Sequence, residues 1–322
     1  MKNVRMLSLA SLTLTGVALL VPGLAAAAEK PEWAFPVTEK DLPPPRIEGT
    51  RLRPPPPGST LSIERAKADD MFDIPNWYPD MYPPMPKIVQ FGNKETQTRA
   101  CGSCHLPVGT GHDESAYVAG LPVAYFLRQM ADWKSGERKY GGIMIALAKS
   151  ATEAEIKDAA SYFGSLKPRP WIRVVEADTV PKSFIGPGNK RLVHPAGGTE
   201  PMGNRIIEVP EDEEVVVYRD PSSGFVAYVP KGSIERGKAL VTTGGDGKTV
   251  RCGICHGQTL RGGGDEAPPI AGHHPNYIVR QLWNFQSGDR GGTSAEQMLK
   301  VVQKLNNDDM LAIAAYVASL TP

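Results

Sequence analysis

Cys101, Gly102, Ser103, Cys104, His105 and, 151 positions later, Cys252, Gly253, Ile254, Cys255, His256 spell the same five-residue pattern, CxxCH, twice. Two thiols at this spacing can add across the two vinyl groups on one edge of a porphyrin. The histidine that follows at once turns under the ring and offers a neutral imidazole nitrogen to iron. Other readings of the cysteines fit less well. Four cysteines in an exported chain invite a disulfide framework, a lone CxxC suggests a thioredoxin-like pair in an α/β domain, and a structural zinc wants four ligands. None of them accounts for two separated Cys-Cys-His sets. The expected cofactor is therefore two covalently bound haem c groups, on Cys101 and Cys104 and on Cys252 and Cys255, with His105 and His256 as iron ligands.

The second axial ligand follows from an internal repeat. Tyr125, Arg128 and Gln129 recur as Tyr277, Arg280 and Gln281, and Ser135, Gly136, Glu137, Arg138 as Ser287, Gly288, Asp289, Arg290, all 152 positions apart. Beyond these motifs the offset becomes 154, which sets Met144 opposite Met298, Tyr162 opposite Tyr316 and Leu166 opposite Leu320. A methionine is more often core filler than ligand. Met130 faces Leu282 and Met310 faces Ile156, so both read as packing, whereas Met144 and Met298 keep sulfur in both copies. These two are the expected sixth ligands. Met81 or Met85 would break the symmetry, and His112, His194, His273 and His274 have no counterpart in the other copy.

The elements around these residues read as helices. Val123, Phe126, Leu127 and Met130 recur at helical spacing after Pro122, and Gly136 ends the run. Thr152 with Glu155 makes a capping box before Ile156, Ala159, Ala160 and Phe163, and Asn306 takes the cap position before Met310, Ile313, Ala314 and Val317. Ser233 to Thr242 reads as the first helix of the second unit, with only Lys87 to Phe91 in its place in the first. Arg128, Arg138, Arg280 and Arg290 suit haem propionates, but a solvated helix face is the plainer expectation for each.

The rest of the chain divides by composition. Residues 1–28 begin with Lys2 and Arg5, run through an apolar stretch and end in small residues, the layout of a cleavable export signal; Gly16, Pro22 and Gly23 leave too short an apolar core for a spanning helix. The formal charge of +1 becomes −1 without this segment, and nothing in it suggests nucleic acid. Residues 29–85 form a proline-rich arm: 14 of the 30 prolines fall between positions 29 and 100, so extended conformations are expected there. Residues 86–166 and 232–322 are the two repeat units. Residues 167–231 form an insertion in which Glu214–Tyr218 and Phe225–Val229, around Asp220-Pro221-Ser222-Ser223-Gly224, read as a β-hairpin. The acidic run Glu211–Glu214 reads as a solvated face, or more sharply as a docking surface.

With both motif sets in place, the chain resembles the two-domain dihaem class I cytochromes c, the c-four group, over residues 86–166 and 232–320. The resemblance implies a mainly α fold of two small class I cytochrome c helical domains, here joined by the β-containing insertion, with each haem held by His and Met. It implies a periplasmic electron carrier rather than an enzyme. Its partners would be periplasmic or membrane-bound redox proteins, a dehydrogenase or cytochrome bc complex as donor and an oxidase or reductase as acceptor, with no small-molecule substrate. The alternatives are a cytochrome subunit of a periplasmic dehydrogenase complex, and a dihaem peroxidase or thiosulfate-oxidising cytochrome, which needs an open iron site.

Overall fold

The computed structural model describes residues 28–322, so the expected export signal lies outside the described residues except for Ala28. The arm carries little regular structure: an antiparallel pair, β1 (Leu52–Arg53) and β2 (Ile63–Glu64), runs into one turn of helix, α1 (Arg65–Ala68). It is nonetheless anchored. Trp77 is fully buried with Ala68 and Tyr218 and donates its indole N–H to the Tyr218 carbonyl at 2.9 Å, while Arg53 pairs with Asp220.

The first unit contains α2 (Lys87–Gln90), α3 (Gly102–His105), α4 (Val123–Ser135), α5 (Gly142–Ser150) and α6 (Glu153–Ser165). The start of α6 is fixed by the expected capping box, Thr152 accepting from Glu155 N and Glu155 accepting from Thr152 N. Its apolar face, Ala159, Tyr162 and Phe163, packs with Leu121, Val89 and Trp171 in the core of this unit.

The insertion departs from the expected hairpin. Residues Glu213–Val217 form a helix, α7, because the Asp212 side chain accepts from Val215 N and Glu213 and Glu214 sit in the first turn, where carboxylates complement the helix dipole. Cap chemistry overrides the β-branched residues that follow. The strands are β3 (Ile172–Glu176), β4 (Thr179–Pro181), β5 (Ser183–Ile185), β6 (Arg191–Val193), β7 (Thr199–Pro201), β8 (Ile207–Pro210) and β9 (Phe225–Val229). β9 lies in the middle of a three-stranded sheet, parallel to β3 (Ile172 opposite Phe225) and antiparallel to β8 (Ile207 opposite Tyr228). β4 pairs with β7 and β5 with β6. The acidic run is partly solvated and partly paired: Glu211 and Asp212 are exposed, and Glu211 meets Arg173, Glu213 meets Arg46 and Glu214 meets Arg51.

The second unit comprises α8 (Ser233–Thr243), α9 (Gly253–His256), α10 (Pro275–Ser287), α11 (Glu296–Val302) and α12 (Asn307–Ser319), the last opened by an Asn306–Asp309 capping box. α8 and α12 cross so closely that a Cβ on Gly237 would lie 1.9 Å from the Ala312 carbonyl oxygen. Met310, Ile313, Ala314 and Val317 of α12 form the centre of this core. Among the described residues no helix is long and apolar enough to cross a membrane.

Candidate cofactor sites

α3 and α9 are single turns, each capped by the first cysteine of its motif and holding the second cysteine and the histidine that follows. No disulfide joins any of the four cysteines, against the disulfide reading. Burial pushes the Cys101 thiol up to about 12 and the Cys252 thiol up to about 11. The two histidines are set alike. His105 Nδ1 lies 2.9 Å from the Ala116 carbonyl and His256 Nδ1 lies 2.8 Å from the Pro268 carbonyl. A carbonyl only accepts, so the proton sits on Nδ1 and the Nε2 lone pair is left to face a metal. Burial holds both imidazoles below the usual histidine range, which keeps them neutral and ligand-competent.

In the second unit Cys252, Cys255, His256 and Met298 line one cavity, walled by Tyr277, Ile278, Gln281, Leu282 and Phe285 of α10 and closed on the far side by Tyr117, Leu121, Tyr125 and Gln129 of the first unit. A largely apolar slot that holds the His256 imidazole and the Met298 thioether, with the His273 imidazole also in its wall, suits a porphyrin with two axial ligands. In the first unit Cys104 and His105 lie on α3 and Cys101 at its N-cap, while Met144 packs with Phe126, Met130, Trp133 and Ala148. Phe126 stacks on Phe163 at 6.3 Å, and Phe163 meets the His105 ring at 6.1 Å. Met144 and Met298 are each the third residue of their helix, α5 and α11. Met81 is exposed and its sulfur accepts from Arg169, whereas Met85 packs beside Cys101 in the first core.

The arginines depart from expectation. Arg138, Arg280 and Arg290 are buried, at 4%, 2% and 9% exposure, where solvated faces were expected. The reason is a contact between the units. Arg138 donates to Gln129 at 2.9 Å and Gln281 at 3.0 Å, and Arg290 donates to the same two amide oxygens at 2.8 Å each and to the Tyr125 hydroxyl at 2.7 Å. The backbones pair there too, Lys139 N with Asp289 O at 2.8 Å and Gly291 N with Glu137 O at 2.7 Å. Each guanidinium lies on an aromatic ring, Arg138 on Trp133 and Arg290 on Phe285. Among the described residues neither has a carboxylate partner in an ion pair, and Arg290 lines the cavity, so its buried positive charge suits an acidic group of a bound cofactor, as a propionate would be. The glutamines were legible only as members of the repeat; their sharing between units had no local signal.

The attachment turns differ in cover. Gly102 and Ser103 are buried, Gly102 so tightly that a Cβ would meet Ile74 at 2.3 Å, while Ile254 is 58% exposed and Cys255 is exposed as well.

Comparison with known proteins places these observations in context. The family model for cytochrome c matches residues 234–321. Cytochrome c4 of Azotobacter vinelandii is 23% identical over 68% of this chain and 84% of its own length. Cytochrome c-554(548) of Halomonas halodenitrificans is 31% identical over 75 residues, which are 23% of this chain and 90% of the smaller protein. Among solved structures, thiosulfate dehydrogenase (TsdBA) from Marichromatium purpuratum aligns with a TM-score of 0.51 and 25% identity over 72% of this chain. The aligned part spans 38% of that longer chain.

Proposed function

This chain belongs to the cytochrome c family, and from that premise we propose that it carries two haem c groups and relays single electrons between redox proteins of the bacterial periplasm. The observation that carries the reading is the paired histidine geometry. In both CxxCH turns Nδ1 is committed to a backbone carbonyl, which frees the other nitrogen. When bound, haem supplies a one-electron iron couple. The chain would do the rest: Cys101, Cys104, Cys252 and Cys255 would tether the two groups, and His105, His256, Met144 and Met298 would ligate the iron. With a histidine and a methionine on each iron no substrate would reach the metal, and a thioether ligand would favour the reduced state. The aromatic and aliphatic walls of the cavity exclude water and keep rearrangement between oxidation states small.

The test is a redox titration of the holoprotein followed through the weak near-infrared band from sulfur to ferric iron. Met144→Ala and Met298→Ala should each remove the band from one site only, and an unchanged spectrum in both variants would refute the ligand assignment. Mass spectrometry of exported protein tests the location, with Glu29 expected as the first residue and two haem masses added to the chain.

A second reading makes the chain the cytochrome subunit of a periplasmic dehydrogenase complex. It is favoured by the alignment with TsdBA, and the arm and insertion would then grip the catalytic partner. Recovery of a larger subunit with the native protein would support it, and a monodisperse monomer from native membranes and periplasm would not.

A further inference from the structure

The two repeat units grip each other at a second place, away from the shared glutamines. Arg280 of α10 reaches into the first unit, donating to the Asp113 carbonyl at 3.1 Å and to the Glu114 carboxylate at 3.1 Å, with a third bond to the arm at the Ala34 carbonyl, 2.9 Å. Its repeat counterpart, Arg128 of α4, reaches into the second unit and donates to the Asp265 carbonyl at 3.0 Å and the Glu266 carboxylate at 3.3 Å. Each glutamate stands two residues before the carbonyl that accepts the iron-ligating histidine's Nδ1–H, Ala116 for His105 and Pro268 for His256. The first-unit loop has further fixings from outside. His274 bridges Glu208 and the Thr110 carbonyl, the Trp171 indole donates to the Gly111 carbonyl at 3.1 Å, and Tyr117 stacks on His273 at 4.7 Å.

We infer that Arg280 and Arg128 are positioning residues that set, each in the opposite unit, the hydrogen bond on the axial histidine and through it the reduction potential of that centre. A firmly held acceptor draws the Nδ1 proton, raises the basicity of the ligating nitrogen and stabilises ferric iron. A loose acceptor does this less. The two clamps are unequal in this chain. The Arg280–Glu114 pair is buried, with side chains 3% and 13% exposed, whereas the Arg128–Glu266 pair is 24% and 64% exposed. Water screens the second and not the first. The first-unit centre is therefore under tight control from the second unit, and the reverse control is slack.

This inference rests on the reading that His105 and His256 ligate haem iron. The experiment is potentiometry of the full-length holoproteins, Arg280→Lys and Arg128→Lys. Lysine keeps the charge and loses the fork that spans carbonyl and carboxylate, so a merely electrostatic role would leave both potentials in place. The Met144→Ala variant identifies which titration step belongs to the first unit. Arg280→Lys should raise the potential of that step by on the order of a tenfold change in ferrous-to-ferric ratio, 59 mV for one electron, and leave the other step within twofold. Arg128→Lys should move the second-unit step by less than threefold. Glu114→Gln, which leaves the guanidinium in place, should shift the first-unit step in the same direction as Arg280→Lys. The His105 Nδ1 proton should exchange faster with solvent in both variants, as read by NMR of the reduced protein. Unmoved first-unit potentials in both Arg280→Lys and Glu114→Gln, or equal shifts of both centres in Arg280→Lys, would overturn the inference. A wild-type protein that lacks haem or shows one titration step's worth of absorbance would instead refute the underlying cofactor reading.

Discussion

Replacing Arg138 and Arg290 by Met, singly and together, should cost far more in the double variant than in the two singles combined. Both guanidiniums donate to the same two buried amide oxygens, those of Gln129 and Gln281. Either single replacement leaves each oxygen with one charged donor. It also relieves the repulsion between like charges which, after burial itself, draws the Arg138 guanidinium down to about 10. Each single should thus cost about 2 kcal/mol, for charge-assisted hydrogen bonds worth about 1.5–3 kcal/mol apiece less that relief. The double variant orphans both oxygens, at about 1–3 kcal/mol each, and gains no second relief. The excess over the sum should reach at least about 2 kcal/mol. Guanidinium unfolding of the four holoproteins, followed through the Soret band, gives the coupling as a double-mutant cycle. Additivity within about 0.5 kcal/mol would show that the glutamines are not shared and that the contact between units is held elsewhere.

Acidification should destabilise the protein in a defined window. Burial holds His112 down to about 4 and His273 down to about 3, so between pH 6.5 and about 4 the unfolded chain binds protons that the folded one refuses. Stability present above pH 6.5 should be lost as pH falls, by up to about 3 kcal/mol per unit for the two groups, and urea unfolding at pH 7, 6 and 5 with His112→Gln as a flatter control checks this. Trp77→Ala empties the contact between arm and insertion at a cost of about 3–5 kcal/mol; trypsin should then cut at Arg65 and Lys67 while the Soret band stays intact. Gly237→Ala drives a methyl into the Ala312 carbonyl and should lower the melting temperature through a loss of about 1–3 kcal/mol; an unchanged melting temperature would mean that α8 and α12 can part at no cost.

What could be read from the sequence was local. The attachment pentapeptides, the Thr152–Glu155 capping box, the Asn306 cap and the helical spacing of α4 and α12 depend on residues within a turn or two of each other, and each left its mark in the order of residue types. The burial of Arg138 and Arg290 depends on partners more than 140 positions away, and an arginine on an amphipathic helix looks the same under solvent as under another unit. The hairpin expectation failed through a local competition that the chain resolves at Asp212. A run of three β-branched valines suits a strand, but the aspartate cap selects helix, and β9 then pairs with β8 across that helix and with β3, some fifty residues earlier. The carbonyls that orient His105 and His256 lie 11 and 12 residues beyond them, in loops whose path no periodicity describes.

The unequal cover of the two attachment turns gives the molecule a front and a back. Where Ile74 and Val89 roof Gly102, a carrier arriving from solution finds polypeptide. At Ile254 and Cys255 it finds an open threshold instead. Under the proposed relay function a protein partner would meet the second attachment turn and not the first.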